Sequence, residues 1–203
     1  MDKHIRLILA SSSPYRKAQL ESLGIPFECI SPSIDESAFA FETPYALAQR
    51  LALEKSAHIA KQHPDAVVIG ADQVLDLDGM ALGKPGNHEN AVHQLEILSG
   101  KTAIFHSAVA LISPHHQQVA ISSTRARFRT LSRQQIETYL CKDKPYDTAG
   151  SAKAESLGIA LLEELSNHDP SAIIGLPLIT LTRMLCNIGI DPLSWMPTSE
   201  AER

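Results

Sequence analysis

Residues 11–16 of the chain (SSSPYR) place three serines, a proline and an arginine directly after a short apolar run at residues 5–10. Ser11, Ser13 and Arg16 could hold phosphate oxygens together, because hydroxyls, a guanidinium and the N–H groups at the start of a helix all donate hydrogen bonds to anions. Taken alone, such a segment is more often a serine cap on a helix beside an exposed arginine. It indicates an anion site only if other polar clusters lie near it.

Two acidic positions could supply metal ligands or a proton acceptor. Asp35 and Glu36 are adjacent in a predicted loop, and Asp72 follows the apolar run at residues 66–70. The Asp72 carboxylate is expected where a buried strand ends, which is where open α/β sheets commonly bind ligands. There Asp72, with Glu36, could ligate Mg²⁺ or Mn²⁺, or it could deprotonate a water molecule. The alternatives are a solvated loop for Glu36 and a strand-ending turn for Asp72.

Two lysines could offset the charge of a phosphorylated substrate. Lys84 lies between Gly83 and Pro85, in a constrained loop, and could stabilise charge that develops in a transition state. Lys55 is predicted on a long helix, where a plain surface lysine is the alternative. The sequence contains no P-loop, dinucleotide-binding, HExxH or GxSxG motif, which argues against those enzyme classes.

The hydrophobic pattern predicts alternating strands and helices that would position these residues. Such alternation, together with a long hairpin turning at residues 114–116, indicates an α/β fold with an elongated mixed β-sheet flanked by helices. Strands are predicted at 5–10, 27–30, 66–70 with an extension over 74–77, 102–112, 119–128 and 158–163; helices are predicted at 15–23, 44–63, 87–98, 132–140 and 170–188.

The bulk properties are those of an ordinary globular protein. A chain of 203 residues, 44% hydrophobic and 20% charged, predicts one domain or a two-lobed unit around a cleft over residues 1–193, with a flexible tail at 194–203. The net charge of -5 gives no reason to expect a nucleic acid or membrane partner. Three widely spaced cysteines without a CxxC pair predict free thiols and a cytoplasmic location, and we see no signal-peptide pattern.

The order of the polar clusters is more specific than any one of them. The succession S-x-S-P-x-R, D-E, L-A-x-x-K, A-D-Q-V, G-K-P and S-G-K resembles the Maf family, and the similarity extends to about Leu193. The resemblance implies a fold like that of inosine triphosphatases and a nucleotide pyrophosphatase that releases a nucleoside monophosphate and pyrophosphate. It also implies a divalent metal (Mg²⁺, Mn²⁺ or Co²⁺) and a homodimer.

The same resemblance assigns roles to individual residues. It makes Asp72 the proton acceptor and a metal ligand, with Glu36 as a second ligand. It places a group of hydroxyls and cations on the substrate phosphates: Ser11, Ser13, Arg16, Lys55 and Lys84.

Three further positions concern the choice of base. Tyr15, Gln73 and Glu155 resemble the branch of the family that hydrolyses 7-methyl-GTP, rather than the branch acting on dTTP and UTP. Methylation at N7 makes the guanine ring cationic, and an aromatic face such as Tyr15 attracts a cation. A carboxylate such as Glu155 could accept from the guanine N1–H and amino group. The alternatives are that Tyr15 packs on its own helix and Glu155 is solvated, that the substrate is dTTP, UTP or another modified nucleotide, or that the chain is a non-catalytic nucleotide-binding regulator of cell division.

Overall fold

Seven strands form one mixed sheet in the computed structural model, which describes residues 5–195. The order across the sheet is β2-β1-β3-β5-β6-β7, and β4 also pairs with β3. β1 is parallel to β2 and to β3, whereas the other pairs are antiparallel. The strands are β1 (Leu7–Ala10), β2 (Glu28–Cys29), β3 (Val67–Leu77), β4 (Met80–Leu82), β5 (Thr102–Ile112), β6 (Gln117–Phe128) and β7 (Leu162–Ser166). The predicted mixed sheet with a long β5–β6 hairpin is confirmed.

The helices begin at residues whose side chains cap them. Ser13, Thr43, Asn87 and Ser132 each accept a hydrogen bond from the backbone N–H three residues further on. This satisfies an N–H that has no partner inside the helix. The helices are α1 (Pro14–Glu21), α2 (Pro44–Ala60), α3 (His88–Leu98), α4 (Arg133–Asp143) and α5 (Leu178–Asn187), with 3₁₀ turns at Ala149–Ser151, Leu157–Leu161 and Pro170–Ile174.

Side chains of β3 alternate between two packed faces of the sheet. Ile69 belongs to a cluster with α5 residues, and Leu75 belongs to a cluster with α3 and α4 residues. Val74 lies on the other face, against Leu47 and Leu51 of α2. Because successive strand residues point to opposite faces, Asp72 lies on the α2 face and Gln73 on the face opposite. Asp72 and Gln73 are therefore adjacent in the sequence but lie on opposite faces of the sheet.

Three predicted elements differ from the structure by more than a few residues at one end. The strand predicted at 158–163 is a 3₁₀ turn, Leu157–Leu161, followed by β7. The helix predicted at 170–188 is interrupted after Ile174, because Gly175 has φ 124° and Pro177 has no N–H to continue a helix. The strand predicted at 66–70 and its extension predicted over 74–77 form one unbroken strand, β3, so Asp72 lies inside a strand and not after one.

Several simpler expectations concern the surface and the chain ends. The three cysteines are free thiols, as predicted. No helix among residues 5–195 has the length and apolar character needed to cross a membrane. Of the predicted flexible tail, residues 196–203 lie outside the described part of the chain. Within the described part, Ser194 hydrogen-bonds to Asp191 and Trp195 packs against the cluster beneath α5.

Candidate active site

A cavity of about 460 Å³ opens where the edge of β3 has no strand beside it. β1 pairs with β3 only as far as Gly70, and β4 begins to pair at Leu75. Residues 71–74 are therefore hydrogen-bonded only on the β5 side. The cavity lies beyond the carboxyl end of β1, the position that open α/β sheets favour for ligands.

The structure brings almost all the predicted site residues to this cavity. They come from the β1–α1 turn, the loop after β2, α2, β3 and the loop after β4, although they are far apart along the chain. The predicted residues that line the cavity are Ser11, Ser13, Tyr15, Arg16, Glu36, Lys55, Asp72, Gln73 and Lys84. The predicted residue that is not among its lining residues is Glu155.

Asp72 and Glu36 meet at the ammonium of Lys55. The Nζ atom of Lys55 lies 2.6 Å from Oδ1 of Asp72 and 2.9 Å from Oε1 of Glu36. The side chains of Lys55 and Asp72 are 7% and 9% exposed, whereas Glu36 is 55% exposed. Lys55, predicted as a phosphate ligand, is engaged by both acids in the structure. It holds the two carboxylates in one place and offsets their charge.

Gly70 sets the distance between α2 and β3 that makes this contact possible. A Cβ atom at Gly70 would lie 2.2 Å from the backbone oxygen of Ala52 and 2.7 Å from the backbone nitrogen of Ser56. Only glycine permits the helix to approach the strand so closely. Lys55, one turn along α2 from Ala52, therefore reaches Asp72 directly.

The start of α1 forms a polar rim on the cavity. The Ser11 hydroxyl accepts a hydrogen bond from the Ser13 N–H (3.1 Å), and the Ser13 hydroxyl caps α1 by accepting from the Arg16 N–H (3.4 Å). The Arg16 Nε donates to the carbonyl oxygen of Gly175 (3.0 Å), which fixes the guanidinium. Burial lowers the pKa of Arg16 below its ordinary value, while the charges of Asp72 and Glu36 oppose that shift. The rim thus offers hydroxyls, a helix start and a fixed cation to an anion.

Lys84 supplies a cation from a different element. It lies in the loop after β4, is exposed, and lines the cavity with Gly83. Lys84 and Arg16 therefore belong to separate walls, so a bound anion could contact positive charge from two directions.

Gln73 is tied to the protein by its amide nitrogen. That nitrogen donates to Ser107 Oγ (2.9 Å) and lies within 3.0–3.1 Å of the carbonyl oxygens of Ile173 and Ala172. A glutamine amide has two N–H donors, so both are occupied within the protein. Any ligand contact of Gln73 must then use its carbonyl oxygen.

Tyr15 occupies the end of the cavity nearest the loop after α4. Its hydroxyl donates to Oδ2 of Asp147 (3.1 Å), and the Nζ atom of Lys153 lies 5.5 Å from its ring centroid. Asp147 lines the cavity and contacts Lys153 at 3.5 Å. Asp147 was not predicted as a site residue, because it lies in no motif and contacts Tyr15 only in the folded chain. Partial burial tends to raise the pKa of Asp147, but Lys153 and Tyr15 lower it on balance.

Glu155 lies near this end without entering the cavity lining. It is an exposed residue, and partial desolvation is the main cause that raises its pKa, with the negative charges of Asp143 and Asp147 acting in the same direction. Glu155 follows Lys153 by two residues in the sequence, and the charges of Lys153 and Asp147 both act on it.

The acidic pair has the chemistry of a divalent-metal site. Among residues 5–195 no group of three or more His, Cys, Asp or Glu side chains is arranged to hold a metal ion. Asp72 and Glu36, however, both reach one ammonium. Mg²⁺ is commonly bound by one or two carboxylates with waters and substrate phosphates as its other ligands. Two hard oxygen donors in a cavity that is also lined by Arg16 and Lys84 fit that pattern.

The fold and the cavity together define a class of protein. The structure superimposes on a HAM1 protein from Coxiella burnetii with a TM-score of 0.54, covering 90% of this chain and 99% of that one at 17% sequence identity. That similarity shows a shared fold. The sequence matches the family described as Maf-like protein over residues 6–188, and the chain belongs to that family. The resemblance seen in the polar clusters is thereby confirmed.

Proteins from several bacteria are similar over almost the whole chain. A protein of Bordetella pertussis named 7-methyl-GTP pyrophosphatase is 53% identical over 192 residues, which are 95% of this chain and 96% of that protein. A protein of the same name from Xanthomonas axonopodis pv. citri is 50% identical over 186 residues, 92% of this chain and 98% of that protein.

Proposed function

We propose that the chain is a nucleotide pyrophosphatase that hydrolyses 7-methyl-GTP to 7-methyl-GMP and pyrophosphate. The observation that carries this proposal is the meeting of Asp72 and Glu36 at Lys55, in a cavity whose rim is the start of α1. The relatives that bear this activity in their name, at about half identity over nearly full length, support the choice of substrate.

The triphosphate is proposed to lie along the rim of the cavity. The Ser11 and Ser13 hydroxyls and the Tyr15 N–H, in the first turn of α1, donate to its oxygens. The Arg16 guanidinium, which Gly175 holds in place, donates as well. Lys84 offsets charge from the loop after β4. The fixed guanidinium of Arg16 and the ammonium of Lys84, on separate walls, favour the charge that builds up on the leaving pyrophosphate.

Asp72 is proposed as the proton acceptor. A water oxygen forms a bond to the α-phosphorus, the bond between that phosphorus and the bridging oxygen to the β-phosphate breaks, and the water proton passes to the Asp72 carboxylate. Lys55 holds this carboxylate in position at 2.6 Å. Positioning and fixed charge provide most of the acceleration, because phosphoryl transfer requires little covalent assistance from the protein.

A divalent ion, Mg²⁺, Mn²⁺ or Co²⁺, is the proposed cofactor, with Asp72 and Glu36 as its protein ligands. When bound, such an ion offsets phosphate charge and acidifies water. Lys55 holds the two carboxylates close together before the substrate arrives. The donor set leaves positions for phosphate oxygens, as expected for Mg²⁺ bound with its nucleotide.

The base is proposed to lie at the Tyr15 end. The aromatic face attracts the positive charge of 7-methylguanine, and the carbonyl oxygen of Gln73 accepts a hydrogen bond from the base. Glu155, which lies outside the cavity lining, is proposed to accept from the guanine N1–H and amino group. A movement of the turn that carries Glu155 is part of this proposal.

The remaining assignments follow from the same family membership and from composition. We propose a single domain over residues 1–193, a homodimer, and a cytoplasmic location in which the three free thiols stay reduced. The net charge of -5 favours a small nucleotide partner over a nucleic acid or a membrane.

A panel of triphosphates tests the proposal. The purified chain with Mg²⁺ or Mn²⁺ is given 7-methyl-GTP, GTP, dTTP, UTP and ITP, and released pyrophosphate and nucleoside monophosphate are measured. We expect the highest kcat/KM with 7-methyl-GTP and one pyrophosphate per monophosphate. A preference for dTTP or UTP would assign a different substrate, and tight binding of triphosphate without turnover would indicate a regulator.

A further inference from the structure

Tyr15, Asp147 and Lys153 form a cluster at the base end of the cavity, which we call the Tyr15 cluster. The Tyr15 hydroxyl donates to Asp147 Oδ2 at 3.1 Å, and Lys153 Nζ lies 3.5 Å from Asp147 Oδ1 and 5.5 Å from the centre of the Tyr15 ring. The face of the tyrosine proposed to attract a cationic base thus already has a cation of the protein beside it.

Lys153 is a fixed charge. Its side chain is 14% exposed, its ammonium donates to the Asp143 carbonyl oxygen (3.4 Å), and its backbone N–H donates to the Tyr139 hydroxyl (3.1 Å). A fixed ammonium next to Tyr15 repels a positively charged base. A cluster of Tyr15 and Lys153 alone would therefore favour neutral or anionic bases.

Asp147 offsets the repulsion between Lys153 and a cationic base. Its carboxylate contacts both the ring hydroxyl and the ammonium, so it offsets the positive charge at the position where the base is expected. Its side chain is 54% exposed and lines the cavity, and hence it can also face a ligand. An ion pair this exposed contributes little to folding, so a structural role does not account for its placement.

We propose that Asp147 is a specificity-determining residue that selects nucleotides with a positively charged base. It does so by cancelling the charge of Lys153 beside the Tyr15 ring. The inference rests on the proposed function of the same cavity, and it concerns the charge of the base and not its shape.

The test compares three nucleotides: 7-methyl-GTP, GTP and 7-methyl-7-deaza-GTP, which carries the methyl group on an uncharged ring. In Asp147→Asn we expect the ratio of kcat/KM for 7-methyl-GTP over GTP to fall about three- to tenfold, a range set by the modest strength of partly exposed charge pairs. The ratio for 7-methyl-7-deaza-GTP over GTP should not change. Since the carboxamide retains a hydrogen-bond acceptor for Tyr15, the charge is the property being tested.

Two further variants separate charge from position. In Asp147→Asn/Lys153→Met both opposed charges are absent, so most of the preference for 7-methyl-GTP should return. Tyr15→Phe keeps the ring and the Asp147–Lys153 pair, and should change the ratio less than Asp147→Asn does. An unchanged ratio in Asp147→Asn, or equal losses with the charged and uncharged methylated nucleotides, would overturn this inference. Failure of the unmodified enzyme to hydrolyse 7-methyl-GTP would instead overturn the proposed function.

Discussion

Replacing Lys55 with methionine removes the cation that both Asp72 and Glu36 contact while keeping an unbranched apolar stem in the same space. Lys55 and Asp72 are 7% and 9% exposed, so this half of the contact counts as buried. Glu36 is 55% exposed and is screened by solvent. Removing one partner of a buried pair costs about 3–5 kcal/mol. Because Asp72 also borders an open cavity, we expect a loss of about 2–3 kcal/mol, or about 4–12 °C in Tm.

The assay is thermal unfolding at neutral pH, with and without millimolar MgCl₂. We expect Mg²⁺ to raise the Tm of Lys55→Met more than that of the unmodified protein, because the ion restores positive charge between the carboxylates. Lys61→Met, an exposed substitution at the end of the same helix, serves as the matched control and should change stability by less than about 0.5 kcal/mol. The double variant Lys55→Met/Asp72→Asn should be more stable than Lys55→Met. A Tm for Lys55→Met within about 1 °C of that for Lys61→Met would show that the contact of Lys55 with Asp72 and Glu36 does not stabilise the fold.

Two other perturbations test contacts that α2 makes with the rest of the chain. Gly70→Ala should destabilise the protein by about 3 kcal/mol or more in denaturant titrations, because its Cβ would lie 2.2 Å from the Ala52 backbone oxygen. A loss of stability below about 1 kcal/mol would mean that α2 can move away from β3 freely. Hydrogen bonds from Arg50 lower the pKa of Glu42 to about 2 from 4.5. A depressed carboxyl pKa gives stability that is complete above pH 4.5 and is lost as the pH falls toward 2. Glu42→Gln should therefore be less stable than the unmodified protein at pH 7 and about equal to it near pH 2, as measured by urea unfolding across that range. A stability difference that does not change with pH would contradict the assigned role of the Glu42 carboxylate.

The sequence predicted which residues belong together, since the order of the polar clusters resembles one family and Asp72, Glu36 and Arg16 do share a cavity. Local signals also predicted where helices begin, because caps such as Thr43 act on N–H groups only three residues away. The contact of Lys55 with both acids could not be predicted in this way. It depends on α2 approaching β3 at Gly70, and the steric reason for that glycine is visible only once both elements are in place.

The position of Asp72 within β3 was missed for a related reason. The polar Asp72 and Gln73 interrupt an apolar run and so predict the end of a strand, whereas β3 continues because β5 pairs with it through Asp76. Asp147 could not be found because its partners, Tyr15 and Lys153, lie on other elements. Charge pairs between distant segments leave no periodic pattern.

Asp72 is proposed to take a proton from water during cleavage of 7-methyl-GTP. The most direct test of this role is pyrophosphate release by Asp72→Asn, with Mg²⁺ present, from a sample whose unfolding curve remains cooperative. A lost general base reduces turnover by about 10²–10⁴-fold, and we expect a decrease of at least about a hundredfold in kcat with a smaller change in KM. Turnover within a few-fold of that of the unmodified chain would show that Asp72 is not the proton acceptor.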